Sequence, residues 1–561
     1  MSFSDARALS LPRAVFGALV LLALAPIGTG QCQTEKLTAL GGSTLDDFGS
    51  AVAIDGGFAA VAQRGADDAG SVWTFAFTSG GWVRTGEILP VDGFSGQEFG
   101  ASLSISGRTL LVGAPSDDDS GPAAGAVYVY FRDLAGTPLD PSDDTWDQVD
   151  KLYADDPAPP TRFGHAVSLD GNLAVVGAPG LAAPPAAAYI LSRDDNGTPG
   201  VAADDTWTQD AILGPDGASL FTRYGAAVAL DGIELLVGDT LDQTTGANSG
   251  AAYIYLAQGS GDAMRWVLED KWLPPVDLDF NAFGKSVDLH EGVAIVGSPG
   301  YTEGSDGWAY LYERIGPTAG WGPPVALDNP SGHMWASFGS AVAVADDRVL
   351  VSSTLLGFQF YSGGRVWGWE KIDGVWPRTI DVQFADSQLG DHFGTSIAVS
   401  GASALIGGTG YVGVPGDDFI APYEGAAAMI VLDRTSPWTD LGFGLGPETP
   451  EPRLVGWGAL DEAQPVTLKL YHARADSTAA LVIGFDRIDQ PFKGGTMVPR
   501  PEVVLTGLPT DGIGELILTA PWLRDEQVPS GMAFVFQAWV VDPGSPPAGW
   551  SASNGLEAVQ P

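Results

Sequence analysis

Short apolar runs that alternate with polar or small residues recur along most of this chain, and turn-forming residues separate them. Ala166–Leu169 alternates, Asp170-Gly171-Asn172 follows, and Leu173–Val176 is apolar throughout. Alternation with a period of two is typical of a strand with one buried face, so this segment predicts a hairpin with a tight turn. Later runs predict a third strand, as at Val127–Tyr130, and a fourth near a tryptophan, as at Trp146–Leu152.

An aromatic residue followed by glycine opens each copy of this four-strand pattern. The pairs are Phe48-Gly49, Phe99-Gly100, Phe163-Gly164, Tyr224-Gly225, Phe283-Gly284, Phe338-Gly339 and Phe393-Gly394. A second signature, clearest at Val112-Gly113-Ala114-Pro115, follows the first glycine at the same interval in every copy, as from position 100 to 113 and from 164 to 177. Seven copies at constant spacing, without helical periodicity, predict an all-β, seven-bladed β-propeller over residues 31–440.

The N-terminal segment is expected to close this ring. The residues before each Phe-Gly pair form the fourth strand of the preceding blade, as at Val149–Leu152, and Thr34–Leu37 stands in the same relative place. We therefore expect residues 33–40 to complete the seventh blade, because pairing the two ends of the ring removes two exposed sheet edges.

Phe-Gly followed at this fixed interval by Gly-Ala-Pro or a weaker version of it, over seven copies, resembles the FG-GAP repeat, which builds the integrin α-subunit propeller and many secreted bacterial proteins. The first and sixth copies are the most degenerate, with Ala62 and Ser352 at the position of the second glycine. The resemblance implies extracellular recognition or adhesion and brings no catalytic residues. The calcium-binding members carry a loop rich in aspartate between the two signatures. Here that interval holds short turns such as Ser106-Gly107-Arg108 and Asp231-Gly232-Ile233. We therefore expect the loop-shortened bacterial subtype, without calcium at that position.

The two ends of the chain differ from the repeats. Residues 1–30 contain a weakly basic start and an apolar stretch, Ala14–Ile27, that predict a signal peptide cleaved after Gly30 and a secreted, periplasmic or cell-surface protein. An uncleaved anchor, or lipidation of Cys32, is the alternative. Residues 441–561 are interpreted as a linker and a small β-sandwich domain, because alternating runs such as Val466–Tyr471 and Ala533–Val541 recur there.

The net charge of the chain limits the classes of partner that we expect it to bind. The 561 residues include 69 acidic and 27 basic ones, for a formal net charge of −42. Binding to nucleic acid or to an anionic membrane needs lysine and arginine clusters, so neither partner is expected. No second long apolar run predicts a membrane span in the mature chain, which we expect to be a monomer. One cysteine excludes a disulfide framework.

Acidic loops are the candidate sites. The first group of candidates lies in loops after second strands and has two interpretations, a ligand-binding face that uses a cation or solvated turns. Its members are Asp67, Asp68, Asp117, Asp118, Asp119, Asp417 and Asp418. Two near-identical inserts between third and fourth strands could each offer several oxygen ligands to Ca²⁺. Their candidate ligands are Asp133, Asp143 and Asp144 in one insert, and Asp194, Asp195, Asn196, Asp204 and Asp205 in the other.

Catalytic motifs are scarce. The five histidines form no His-Glu-x-x-His motif, and no Gly-x-Ser-x-Gly is present. His165 and His392 flank Phe-Gly pairs, where they either face the central channel or pack at a repeat junction. We predict a non-enzymatic recognition or adhesion protein that binds an extracellular protein or glycan on one propeller face. The alternatives are a polysaccharide hydrolase or lyase at the propeller axis, and a structural envelope component. No cofactor is expected, apart from the calcium considered above.

Overall fold

Contacts divide the chain into two compact units, one of residues 35–78 and 82–430 and the other of residues 1–34, 79–81 and 431–561. The computed structural model describes residues 34–37, 47–65, 69–78, 81–134, 143–156, 160–180, 186–198, 201–216, 222–259, 264–276, 279–300, 307–316, 320–327, 329–330, 336–354, 363–372, 374–382, 392–401, 403–409, 425–432, 438–442, 452–457, 465–471, 473–474, 477–493, 495–510, 516–521, 532–542, 550–553 and 555–559. The predicted signal peptide lies outside these residues.

Each repeat of the first unit forms its own antiparallel sheet, and strands are numbered in chain order. Sheet 1 has β2 (Phe48–Asp55), β3 (Phe58–Gln63), β4 (Ser71–Thr78) and β5 (Gly81–Ile88). Sheet 2 has β6 (Ser102–Ser106), β7 (Thr109–Ala114), β8 (Ala126–Asp133) and β9 (Thr145–Leu152). Sheet 3 has β10 (Ala166–Asp170), β11 (Leu173–Ala178), β12 (Ala187–Asp194) and β13 (Thr206–Leu213), with a 3₁₀ turn at Ala202–Asp204.

The remaining sheets of this unit follow the same plan. Sheet 4 has β14 (Tyr224–Asp231), β15 (Glu234–Asp239), β16 (Ala251–Gln258) and β17 (Arg265–Trp272). Sheet 5 has β18 (Ser286–His290), β19 (Val293–Ser298), β20 (Trp308–Gly316), β21 (Gly320–Trp321) and β22 (Val325–Leu327). Sheet 6 has β23 (Phe338–Ala345), β24 (Arg348–Ser353), β25 (Arg365–Glu370) and β26 (Arg378–Val382). Sheet 7 has β27 (Phe393–Ser400), β28 (Ser403–Gly408), β29 (Ala426–Val431) and β1 (Thr34–Leu37).

The first strands of these sheets are arranged in a ring. They contact one another in the order β2, β6, β10, β14, β18, β23 and β27, and β27 contacts β2. The prediction of an all-β propeller is confirmed, and the described residues contain seven sheets of this kind. In sheet 7 the N-terminal strand β1 lies at the edge next to β29. Leu37 of β1 is buried in a cluster with Phe48 and Met429.

The aromatic residue of each Phe-Gly pair lies in the core. Phe99 packs edge-on against Tyr128 of the third strand, with ring centroids 5.1 Å apart, and the Tyr224–Tyr253 pair repeats that distance. Tyr224 also donates its hydroxyl hydrogen to the Tyr255 hydroxyl at 2.8 Å. The tyrosine that replaces phenylalanine in sheet 4 therefore has a partner for its buried polar atom.

Both signature glycines are required by close backbone contacts between neighbouring sheets. The glycine of each Phe-Gly pair has a positive φ of 83–92°, which strains any residue with a Cβ. The second glycine lies against the first glycine of the next sheet: a Cβ on Gly177 would be 2.0 Å from the Gly225 carbonyl oxygen, and one on Gly238 would be 2.0 Å from that of Gly284. The constant spacing of the two signatures therefore brings the two glycines into register across the sheet boundary.

The second unit contains two larger sheets and a hairpin. One sheet has the order β30 (Trp438–Gly442), β40 (Gly555–Val559), β38 (Ala533–Val541), β33 (Thr478–Gly484) and β36 (Val503–Pro509), with β39 (Trp550–Ala552) on β38. The other has β31 (Arg453–Trp457), β32 (Pro465–Tyr471) and β37 (Leu516–Pro521), and the hairpin has β34 (Arg487–Phe492) and β35 (Gly495–Pro499). Leu468 and Leu470 share one apolar core with Leu481 and Phe536, so the two sheets pack face to face.

The glycine contact can be tested with Gly177→Ala. The added methyl group has to displace the backbone of the next sheet, so we expect the free energy of unfolding to fall by roughly 3 kcal/mol, with a lower Tm. Gly214→Ala is the matched control, because no atom lies within 4 Å of the added Cβ. Denaturant and thermal melts measure both variants, and equal stability of the two would contradict the role of the contact.

Candidate binding site at the Phe-Gly end of the ring

The strand order places different segments at the two ends of the ring. The Phe-Gly end carries the loops from the second strand of a sheet to the third, and from the fourth strand to the next Phe-Gly pair. The turn end carries the tight turns between first and second strands and the loops between third and fourth strands. The two inserts lie at the turn end, and the loop that contains Asp117, Asp118 and Asp119 lies at the Phe-Gly end.

At the turn end, one sheet caps the turn of the next. The Asp55 carboxylate accepts a hydrogen bond from the Gly107 amide at 2.6 Å, and Asp170 accepts one from Gly232 at the same distance. Asp231 does the same for the Glu291 amide. The lone carboxylates of these short turns therefore join adjacent sheets.

A cleft opens at the Phe-Gly end beside sheet 1, where the chain passes on to sheet 2. Its volume is about 490 Å³. It is lined by the loop after β3 and the loop after β5: Gln63, Gly65, Ala69, Gly70, Ser71, Glu87, Leu89, Pro90, Gly93, Phe94 and Ser95. Leu89 is 60 % exposed and Phe94 36 % exposed, while Val91 in the same loop is 86 % exposed. Apolar side chains exposed beside a concave surface are typical of a binding site.

Backbone contacts hold the two loops of the cleft together. The Phe99 amide donates to the Ala69 carbonyl oxygen at 2.9 Å. Gly93 is packed so closely that a Cβ there would meet the Ala69 side chain at 2.9 Å. The Gln97 side chain is fully buried, and its amide oxygen accepts from the Phe94 amide at 3.3 Å. The wall of the cleft that carries Phe94 is thus tied to the protein interior.

An ion network, buried at Asp117, partly buried at Lys151 and exposed at Asp92 and Asp119, supports that wall. Lys151 of β9 lies 2.7 Å from Asp92, 2.9 Å from Asp117 and 2.6 Å from Asp119. Tyr128 donates to the Asp92 carboxylate at 2.6 Å, and the Lys151 ammonium lies 4.6 Å from the centre of the Tyr128 ring. Asp92 belongs to the same loop as Phe94, so Lys151 fixes the loop after β5 against sheet 2.

The contacts within this network keep Lys151 and Asp92 ionised. Burial by itself would lower the pKa of Lys151, but hydrogen bonds to Asp119, Asp92 and other partners raise that pKa well above its usual value. Burial by itself would raise the pKa of Asp92, but the hydrogen bonds from Lys151 and Tyr128 lower it instead. Both groups are therefore charged at neutral pH.

The structure gives the acidic loop residues of the sequence analysis different surroundings. Asp117 is 1 % exposed, and its carboxylate contacts Lys151 and the Gln97 amide nitrogen, so it faces inward. Asp118 and Asp119 are both exposed, and Asp119 also contacts Lys151. Sheet 4 repeats the arrangement with Lys271 2.9 Å from Asp242. Asp67, Asp68, Asp417 and Asp418 lie outside the described residues.

The calcium candidates in the second insert are engaged in local contacts. The Asn196 amide donates to Asp194 at 2.9 Å, and the Gly197 amide donates to Asp195 at 3.0 Å. The Thr198 hydroxyl donates to the Asp204 carboxylate at 2.9 Å. Asp205 lies 3.7 Å from Arg193; burial raises the pKa of Asp205, and Arg193 opposes that rise.

The first insert has the corresponding ion pair, Arg132 with Asp144 at 3.6 Å, and burial raises the pKa of Asp144 while Arg132 opposes it. Asp133 and Asp143 exert smaller charge effects, both also raising the pKa of Asp144. Within the part of the chain that the structure describes, no three carboxylates of either insert have ligand atoms within 4.8 Å of one another. The sequence had suggested such a convergence.

One group of three metal-capable side chains does converge among the described residues, and the sequence analysis did not propose it. His290, Glu291 and Asp346 meet at the turn end, where the His290 Nε2 lies 3.8 Å from the Asp346 carboxylate. His290 occupies the strand-end position that Asp231 has in sheet 4, so it reaches the turn of the next sheet. The cleft was also missed, although the exposed run Leu89-Pro90-Val91 directly after a fourth strand was a signal.

Comparison with known proteins agrees with the repeat pattern. Residues 32–75, 82–130, 146–191 and 207–255 match the FG-GAP repeat. The fold and these matches define a propeller-type protein that carries FG-GAP repeats, which are typical of extracellular proteins. A search among curated proteins finds no matching sequence. None of the described residues forms a helix long and apolar enough to cross a membrane.

Solved structures give distant matches. A chain from the crystal structure of the Mitotic Checkpoint Complex is 14 % identical, with a TM-score of 0.39 over 73 % of this chain and 98 % of that chain. Sqt1 of Saccharomyces cerevisiae is 9 % identical, with a TM-score of 0.36 over 79 % of this chain and 96 % of that chain.

The ion network can be tested with Lys151→Met. This change leaves Asp117 buried without its cation, so we expect a loss of about 3 kcal/mol in the free energy of unfolding at pH 7. The loss should shrink as the pH falls through the lowered pKa of Asp92, because a protonated carboxyl needs no cation. Lys371→Met is the control, since Lys371 and its partner Glu313 are 35 % and 32 % exposed and such pairs contribute about 0–1 kcal/mol. A loss that is equal for both variants, or equal at pH 7 and below the pKa of Asp92, would contradict the assignment.

Proposed function

We propose that this protein is an extracellular, non-enzymatic recognition protein, and that it binds a protein or glycan ligand in the cleft at the Phe-Gly end of the ring. The observation that supports the proposal is the cleft beside sheet 1, which exposes Leu89 and Phe94 beside polar side chains. Exposed apolar groups lose their contact with water when a ligand covers them, and this favours association.

The lining fits a ligand with both apolar and polar groups. Leu89, Pro90 and Phe94 provide the apolar surface, and the Phe94 ring offers a face for a sugar or for an aliphatic side chain. Glu87 and Ser95 provide hydrogen-bonding groups at the same surface. The ion pair of Lys151 with Asp92 keeps the loop in position before the ligand arrives, which reduces the entropy lost on binding.

The repeats and the leader-like N-terminus support export of the chain. FG-GAP repeats are typical of extracellular proteins, and residues 1–30 have the composition of a signal peptide. We propose a secreted, periplasmic or cell-surface location for a monomer, with its ligand outside the cell.

The proposal is tested by binding of the labelled full chain, without its leader, to a glycan array and to an extracellular protein library. We expect a specific ligand whose affinity falls about tenfold in Leu89→Ala and in Phe94→Ala, because each change removes apolar contact area. Ile315→Ala is the control, since Ile315 is 67 % exposed and lies at the turn end. Loss of binding in the control alone, or a ligand that neither cleft variant weakens, would contradict the cleft as the site.

Calcium dependence is measured in the same assay, in millimolar calcium and again in EDTA. Binding that is lost in EDTA would implicate a cation, and the exposed Asp118 would be the first residue to substitute. Equal binding in both conditions is the expected result, because Asp117 and Asp119 already have Lys151 as their cation.

A further inference from the structure

Cations gather at a second place on the Phe-Gly end, around the mouth of the central channel. Arg162 and His165 flank the Phe-Gly pair of sheet 3, Arg223 precedes Tyr224-Gly225 in sheet 4, and Lys285 follows Phe283-Gly284 in sheet 5. Arg64 lies directly after β3, in the loop that leads from the second strand of sheet 1 at the same end. Only 27 of the 561 residues are basic, so four arginine and lysine residues and a histidine at one opening stand out.

The backbone brings the positions in sheets 3, 4 and 5 together. The first strands of sheets 3, 4 and 5 are neighbours in the ring. The contacts of Gly177 with Gly225, and of Gly238 with Gly284, connect adjacent sheets beside their Phe-Gly pairs. Arg162 and Arg223 therefore occupy equivalent places in adjacent sheets, each one residue before the pair.

The cations also act on one another. Burial is the largest cause that lowers the pKa of His165, to about 4, and the next four causes are the charges of Arg162, Lys285, Arg223 and Arg64. Burial and the charge of Arg223 likewise lower the pKa of Lys285. The side chains of Lys285 and Arg223 are nevertheless exposed to solvent. Their positive charges are therefore accessible to an anion in solution.

Acidic groups that lie at this opening already have hydrogen-bond or ion-pair partners. Glu98 pairs with Arg162 and also accepts from the Ser116 hydroxyl. Asp239 accepts from the Arg223 amide at 2.8 Å and from the Leu241 amide at 3.1 Å, and burial raises its pKa. Asp47 occupies the place before Phe48-Gly49 in sheet 1 and has its own partner. Over the described residues, the side chains of Arg64, Arg223 and Lys285 have no ion pair, and the buried Nδ1 of His165 has no hydrogen-bond partner.

We propose that this channel mouth is an oxyanion-binding site that takes carboxylate or sulfate groups, with Arg223 and Lys285 as the binding cations and His165 as a hydrogen-bonding partner. Bringing unpaired like charges together is unfavourable unless an opposite charge joins them. Arginine guanidinium groups hold carboxylates and sulfates with two parallel hydrogen bonds. The neutral imidazole of His165 can donate from Nδ1 to the same group.

This site is distinct from the cleft beside sheet 1, and either site can exist without the other. The cleft residues Leu89 and Phe94 offer apolar surface, whereas the channel mouth offers charge. A ligand that carries carboxylate groups on an apolar or sugar framework could use both.

The proposal is tested by isothermal titration calorimetry of the full chain with citrate and with sulfate at pH 7, with sodium chloride added to keep the ionic strength constant. We expect citrate binding that weakens about tenfold in Arg223→Gln and in Lys285→Gln, since each variant loses a charged hydrogen bond. Arg265→Gln is the matched control, because Arg265 is exposed on β17 and has no ion pair among the described residues. Absence of citrate and sulfate binding, or an equal loss in the control, would overturn the proposal.

A second measurement locates the anion. The pKa of His165 is followed by NMR, with the signal assigned by its disappearance in His165→Gln. Bound citrate and the Arg223→Gln change should both raise this pKa from about 4 towards the usual 6.5, because each makes the potential at the imidazole less positive. Citrate binding that leaves the pKa unchanged would place the anion elsewhere and overturn the assignment. Tighter binding of an oligogalacturonate than of citrate would identify an acidic glycan as the source of the carboxylates, and the reverse a free small anion.

Discussion

The close backbone approach at the boundaries between sheets is the constraint on which the ring depends, and at five of the seven boundaries two glycines meet there, whereas Ala62 and Ser352 take the place of the second glycine at the other two. The second glycine of one repeat touches the backbone of the Phe-Gly pair in the next, as Gly177 touches Gly225 at a distance that leaves no room for a side chain. Serine side chains reinforce the same contact, since the Ser102 and Ser286 hydroxyls donate to the Gly164 and Gly339 carbonyl oxygens. The aromatic residues of the pairs can fill the space between sheets only because the backbones come this close.

The charge of the protein is distributed by this architecture. At the turn end, carboxylates such as Asp55 and Asp170 accept hydrogen bonds from backbone amides of the next sheet and so connect adjacent sheets. At the Phe-Gly end, Lys151 and Lys271 neutralise the aspartates of the loops after the second strands. A chain with a net charge of −42 therefore uses several of its acidic groups in internal contacts. The unpaired cations of the channel mouth differ in sign from most of the charge on this protein.

Much of the fold could be predicted because its determinants are local and repeated. Alternation around Asp170-Gly171 predicted the hairpin that pairs Ala166 with Gly177, and the structure has that register. The candidate sites could be predicted less well. Whether Asp117 is a solvated turn residue or a buried partner of Lys151 depends on a side chain from another strand of the sheet, and the acidic run around Asp117 is the same in both cases.

The sequence alone determined the repeat, its length and the positions of glycine and aromatic residues, because each of these follows from strand period, turn geometry and a close backbone contact that favours glycine. Tertiary structure alone decided which charges meet. Arg162, Arg223 and Lys285 each belong to a different repeat, and only the ring brings them to one opening. The cleft likewise arises where the loop after β3 meets the loop after β5. The apolar run Leu89-Pro90-Val91 was a signal in one of these loops, but only the folded chain shows that the two loops enclose a space.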